Sequence, residues 1–343
     1  MSLTQTLNHE EVVVLDHGTG AKLSRELVEK IANILGDTYL GVMEDSAVLG
    51  LSTRRIAFTT DSFVATPLIF GNGDIGKIAV CGTVNDLAVS GARPLYITLS
   101  LIIEEGMPMA DLVRIIESVR ETAREAEVKI VAGDTKVVGK GEADRLFINT
   151  AGIGVFEHPP VSVKNVRPGQ KIILSGYIGN HSIHLLSMRE GLGFERNILS
   201  DCAPLNHIID KLISNIPEGK IASMRDVTRG GLSAVLHEHA RATNYQIHFD
   251  QPSLPIQPET AMAANMLGVD VINLANEGCL CLFVEPEYAQ KVLHLLQEHP
   301  VGKHATIIGE ITAVSGTEVY MIEADGTHTE VEELYGAELP RLC

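Results

Sequence analysis

A chain of 343 residues that is 45% apolar and 21% charged has the size and composition of a globular protein of about two domains, which excludes a wholly disordered or fibrous chain. With 27 Lys and Arg against 44 Asp and Glu its net charge is −17, which repels phosphate backbones and anionic lipid surfaces and argues against nucleic acid and membrane partners. No basic segment followed by an apolar one opens the chain, no stretch approaches 18 uninterrupted apolar residues, and cysteines at 81, 202, 279, 281 and 343 form no stapling framework, so a cytoplasmic location with reduced thiols is expected.

Leu27, Val28, Ile31, Ile34 and Leu35 recur at helical spacing within residues 24–35, and Gly36 ends the run. A strand follows at Ile56–Val64, a helix at 74–90 between Asp74 and Gly91, and a buried strand at Tyr96–Ile103. Pro108 opens a long helix to about Glu127, which feeds a strand at Val128–Ala132; a polar hairpin-like loop then leads to a strand at Phe147–Phe156. Glu157–Gly169 holds three prolines and few periodic apolar residues, the best domain boundary in the chain. Beyond it, strands are expected at Lys171–Gly176, Cys279–Val284, Ala305–Val314 and Val319–Glu323, with helices at 182–190, 203–215, 231–243 and 286–298. The pattern is α/β (α+β), with domains at 1–157 and 168–326. Residues 327–343 show little periodicity and read as a mobile tail ending in Cys343.

The loop Gly71-Asn72-Gly73-Asp74-Ile75-Gly76-Lys77 matches two nucleotide-loop patterns literally, yet no ribose-binding acid follows it and Ile78 offers no hydroxyl to a cation. A tight turn capping a helix accounts for it equally well, and such a turn still presents N–H groups to a phosphate. Four aspartates sit with small or hydroxylic neighbours at the edges of apolar segments: Asp45, Asp61, Asp86 and Asp134. Hard oxygen donors without nearby His or Cys suit Mg²⁺ carried by a nucleotide, although each aspartate alone is an ordinary turn former or cap. Arg225-Asp226-Val227-Thr228-Arg229-Gly230-Gly231, opening a helix, is a second candidate anion site. His237-Glu238-His239 puts its imidazoles on different helix faces, so surface polarity explains it better than a metal pair. Cys279 and Cys281 read as buried strand residues.

Taken together, Asp16-His17-Gly18-Thr19-Gly20, Thr60-Asp61-Ser62, Cys81-Gly82-Thr83-Val84-Asn85-Asp86, Gly133-Asp134-Thr135-Lys136, Asp226-Val227-Thr228-Arg229-Gly230-Gly231, Asn276-Glu277-Gly278 and the terminal Pro340-Arg341-Leu342-Cys343 resemble the [NiFe] hydrogenase maturation branch of the aminoimidazole ribonucleotide synthetase and selenophosphate synthetase family. The resemblance implies a two-domain PurM-like fold whose N-terminal sheet pairs into a dimer barrel. It implies ATP-dependent dehydration of an S-carbamoyl group on Cys343 to a thiocyanate, with ATP and Mg²⁺ as cofactors. The implied partners are a second copy, the carbamoyltransferase HypF and a HypC–HypD scaffold. Asp45, Asp61, Asp86 and Asp134 would hold Mg²⁺ and phosphates, with Lys77, Thr228, Arg229 and Gly230 beside the nucleotide. Lys136 and Glu277 would polarise and deprotonate the carboxamide. Two alternatives stand beside this: phosphorylation of a carbonyl in a free small molecule, and a thiol carrier or metallochaperone without ATP chemistry.

Overall fold

The computed structural model describes residues 12–18, 22–40, 49–51 and 55–333. In its first half come α1 (Lys22–Leu35), β1 (Ile56–Phe63), the short β2 (Ile69–Phe70) and β3 (Gly73–Asp74), then α2 (Ile75–Val89), β4 (Arg93–Glu104), α3 (Met109–Glu125), β5 (Lys129–Val138) and β6 (Leu146–Val155). Strands β1, β6, β4 and β5 form a four-stranded sheet in that order, with only the β4–β5 pair parallel. One face packs on α2 and α3 through residues such as Phe63, Ile97, Leu99 and Leu101. Alternation along each strand sends Phe58, Thr60, Ser100, Ile102 and Asn149 to the other face, which no element of the described chain covers.

Nearly every residue of α2 is buried, apolar all round because it lies between the sheet, α3 and the second half of the chain. Asp74 caps it, accepting the Lys77 N–H at 3.0 Å. Gly76 and Gly82 are close-approach positions: a Cβ at Gly76 would press on the Ile115 carbonyl, and one at Gly82 would lie 2.9 Å from the Phe63 ring. The glycine-rich loop thus starts a tightly packed helix, and its amides have partners in the protein. Ile75 N–H donates to the Leu68 carbonyl at 2.8 Å and Gly71 N–H to His184 Nε2 at 3.1 Å.

The second half adds β7 (Lys171–Leu174), α4 (Asn180–Glu190), α5 (Asn206–Asn215), β8 (Ile221–Asp226), α6 (Gly231–Thr243), β9 (Tyr245–Asp250), α7 (Pro258–Leu267), β10 (Leu280–Val284), α8 (Pro286–Gln297), β11 (Thr306–Ser315), β12 (Val319–Ile322) and β13 (His328–Glu330). Its strands build a seven-stranded sheet in the order β13, β12, β9, β11, β7, β10, β8. One apolar cluster built on α6, α7 and α4 and another on α5 and α8 cover its two faces, so β10 is buried at every position.

Three expectations change. β5 continues through Asp134 to Val138, so the stretch after Ala132 is strand rather than loop. Residues 328–330 pair with β12 and Val331 N–H donates to the Val319 carbonyl at 2.8 Å, so the supposed tail begins with ordered structure. His237 and His239 are buried rather than surface groups: His239 stacks on Phe283 at 4.0 Å between ring centroids and shares a 3.0 Å hydrogen bond with Ser223 Oγ. No described helix is long and apolar enough to cross a membrane.

Candidate active site between the two sheets

Strand alternation turns Asp61 inward, toward α2, where Asp86 lies one helical turn beyond Gly82. Thr59 Oγ donates to Asp86 Oδ2 at 2.8 Å, and the Ser62 N–H donates to Asp61 Oδ1 at 2.8 Å. Burial raises the Asp61 carboxyl, the charge of Asp86 raises it further, and Arg229 opposes both. Asp226 approaches from the other half of the chain, at the end of β8 opposite Leu280. It is pushed up to about 6 by burial and then by Asp86, with Asp61 adding to the effect. Carboxylates from β1, α2 and β8 therefore face one another across the boundary between the halves.

Glu277 stands behind them, 3% exposed, in the turn before β10. Burial raises its carboxyl well above the usual range, and Cys202, Asp201, Asp226 and Asp61 push the same way. Asp201 holds that turn, accepting the Glu277 N–H at 3.0 Å and the Gly278 N–H at 3.1 Å. Gly278 has no room for a side chain against the Asp201 carbonyl. Asp201 itself is pushed up to about 6 by burial, against those two amides and the charge of Lys77. Asn85 joins the halves: its side chain donates to the Ala203 carbonyl at 3.2 Å and accepts the Leu205 N–H at 2.7 Å.

The Thr228–Gly230 loop lies between β8 and α6. Gly230 and Gly231 adopt φ of +76° and +62°, and Gly231 could carry no side chain against the Ile272 carbonyl. Asn276 steadies it, donating to the Val227 carbonyl at 2.9 Å and accepting the Gly179 N–H at 2.7 Å. Arg229, exposed at the tip, brings positive charge toward Asp61.

The aspartates nominated for metal do not form one set within the chain. Asp134 lies on β5, the opposite sheet edge from β1, about 14 Å away at three strand spacings and on the uncovered face, where it pairs with Lys136 at 3.0 Å. Asp45 and Cys343 lie outside the described residues. Among the described residues no three His, Cys, Asp or Glu side chains form a metal cage. The donor chemistry at Asp61, Asp86 and Asp226 nevertheless fits Mg²⁺, which takes one or two carboxylates and completes its shell with phosphate oxygens and water. Sequence reasoning left out Asp226 and Asp201. The first sat within a quoted block beside the residues chosen; for Asp201 the local sequence carried no signal.

The chain matches the model of "AIR synthase related protein, N-terminal domain" over residues 43–156 and that of "AIR synthase related protein, C-terminal domain" over 167–322. It is 41% identical to the carbamoyl dehydratase HypE of Bradyrhizobium diazoefficiens, over 96% of this chain and 96% of that one. The crystal structure of a hydrogenase maturation protein HypE in complex with ATP superimposes with a TM-score of 0.92 at 39% identity, covering 96% of this chain and 99% of the other. HypE from a HypE–HypF complex superimposes at 0.78 with 46% identity, over 81% of this chain and 90% of that one.

Proposed function

The chain belongs to the HypE family, within the AIR synthase related proteins, and on that premise we propose that it is an ATP-dependent carbamoyl dehydratase that converts an S-carbamoyl group on Cys343 to a thiocyanate for hydrogenase maturation. HypF would load the carbamoyl group, a partnership the solved HypE–HypF complex supports, and a HypC–HypD scaffold would receive the cyanide. The observation that carries this reading is the convergence of Asp61, Asp86, Asp226 and Glu277 beside Arg229.

An amide oxygen is a poor leaving group, so its transfer onto the γ-phosphorus of ATP turns departure of hydroxide into departure of phosphate. The nitrogen gives up both its protons, the carbon–oxygen bond breaks, and ADP and phosphate leave with the amide oxygen in the phosphate. Asp61, Asp86 and Asp226 would hold Mg²⁺, which when bound neutralises the nucleotide phosphates. Arg229, exposed at the tip of the loop, sits where a phosphate would be met. A carboxyl held above its usual range is a stronger base than a solvated one, which suits Glu277 to taking a carboxamide proton.

Lys136, the residue assigned to polarise the carboxamide, stands with Asp134 on the uncovered sheet face. A homodimer accounts for this: pairing two such faces would bury Phe58 and Ile102 and turn the Asp134–Lys136 pair toward the second copy. Ten residues follow Glu333, a reach of at most about 35 Å for Cys343. The deciding measurement is intact mass of the carbamoylated protein before and after Mg-ATP. Loss of one water is expected. A carbamoylated chain that keeps its mass while ATP is present would leave a carrier role only.

A further inference from the structure

The glycine-rich loop carries one polar side chain that the site described above does not use, Asn72. Its carboxamide pairs with the backbone of Ser200 as a neighbouring strand would, accepting the Ser200 N–H at 3.0 Å and donating to the Ser200 carbonyl at 2.8 Å. Beside it the Gly71 N–H meets Nε2 of His184 on α4 at 3.1 Å, and Nδ1 of the same ring lies 2.7 Å from the Ile198 carbonyl. A Cβ at Gly71 would lie 2.8 Å from the His184 ring, so this approach requires glycine. Phe70 stands edge-on to His181 and His184, 5.8 Å from each between ring centroids. Ser200 Oγ accepts the Cys202 N–H at 3.1 Å and shares a 2.8 Å hydrogen bond with His181 Nδ1. A loop of the first half thus fixes Ile198 and Ser200 in the second, and Ser200 passes the hold on to Cys202.

Asp201 sits between these holds. Each of its carboxylate oxygens takes one amide of the turn before β10, Oδ1 from Glu277 and Oδ2 from Gly278, and two bonds from one planar group set the tilt of that turn as well as its height. The same segment grips the turn a second time, the Ala203 N–H donating to the Glu277 carbonyl at 3.4 Å, and Gly278 brings no Cβ to part the two. Burial raises the Asp201 carboxyl, and Lys77, in the first turn of α2, opposes that with its charge. Resting on the dehydratase reading, in which Glu277 takes the carboxamide proton, we propose that Asp201 is the positioning residue of that base, and that the glycine-rich loop serves the reaction through Asn72, by fixing the segment that carries Asp201 rather than by gripping phosphate. A misplacement of about 1 Å can cost about 100-fold in rate. Loosening Asn72 or Asp201 would shift Glu277 while leaving Asp61, Asp86 and Arg229 in place.

The test uses the full chain and the variants Asn72→Ala and Asp201→Asn. Asn72 is exposed, so its truncation removes two hydrogen bonds and no core packing. Asn at 201 keeps the shape of Asp but turns an amino group on one of the two amides. Each protein is carbamoylated by the carbamoyltransferase and given saturating Mg-ATP in a single turnover followed by intact mass. Conversion should slow by about tenfold to 100-fold in Asp201→Asn and about threefold or more in Asn72→Ala, while calorimetric affinity for Mg-ATP stays within about twofold of the parent in both. Parental conversion in either variant overturns the proposal. So does a loss of nucleotide affinity in Asn72→Ala as large as its loss of rate, which would return the loop to the phosphates. Amide hydrogen exchange reads the clasp without any turnover: in Asn72→Ala the Glu277 and Gly278 amides should exchange faster while the Phe283 amide, within β10, keeps its parental rate. Unchanged exchange at Glu277 and Gly278, or an equal rise at Phe283 that marks general loosening, overturns it. A parent chain that does not convert at all counts against the dehydratase reading instead, and exchange then still decides whether the loop holds the Glu277 turn.

Discussion

The two sheets are built from similar residues and end in different states. The seven-stranded sheet is covered on both faces, and β10 within it is buried at every position. Among the described residues the four-stranded sheet is covered on one face and leaves Phe58 at 67% exposure and Ile102 at 41% on the other. Among the described residues one hydrophobic core is thus covered on both sides and the other on one, with Lys136 on the uncovered side. The difference teaches that, among the described residues, the second half covers both faces of its sheet, whereas the first half leaves a face that a second copy would cover.

The strongest challenge to that contrast is Phe58→Asp, which places a charge in the centre of the open face. Sedimentation should show the single-chain mass where the parent sediments as a dimer, and dehydration should fall with it; a variant that still dimerises would mean that this face is not the interface. Next in size is Leu282→Ala in β10, fully buried, which should cost about 2–5 kcal/mol of stability. In the Phe58→Asp background Ile102→Ala, on the open face, should cost less than about 0.5 kcal/mol. Equal losses in chemical denaturation would erase the contrast.

The covered sheet should also be the acid-sensitive one. Burial pushes His239 down to about 4, below the ordinary 6.5, so its neutral form is the one the fold accepts. Its contribution is complete above pH 6.5 and is lost as pH falls toward 4, about 3 kcal/mol in all. Melting temperature should therefore drop more steeply across that window in the parent than in His239→Gln, and identical slopes would refute it. A further effect belongs to the seam between the halves. Asp226→Asn should weaken Mg-nucleotide binding about tenfold, read by calorimetry. Because burial and the neighbouring Asp86 and Asp61 raise Asp226 to about 6, its charge opposes folding as pH rises through that value. The unliganded Asn variant should melt higher than the parent above pH 6 and no higher below pH 4.

Local pattern was enough for the elements with strong periodicity. The helix at 231–243 coincides with α6, and the strand expected at Ile56–Val64 with β1 to within a residue. β8 escaped because Ser223 and Arg225 interrupt its apolar run; the Ser223 hydroxyl is satisfied by His239, a partner 16 residues away that no local window displays. β13 escaped because an exposed edge strand of three residues has no apolar alternation to read. The histidines of α6 were placed on the surface since helix polarity alone does not reveal what later folds over the helix.

Sequence alone determined which residue types are candidates for the chemistry: acids with small neighbours, a glycine-rich loop beside Arg229, and Cys343, because a site's chemistry is written in side-chain identity. It did not determine grouping. Asp61, Asp86 and Asp226 come together only because β1, α2 and β8 meet at the boundary between the halves, while Asp134, equally plausible by its neighbours, is carried to the far edge of the sheet by strand order. Strand order and the face a side chain takes are set by long-range pairing, in which a one-residue change of register moves a carboxylate from one side of the sheet to the other.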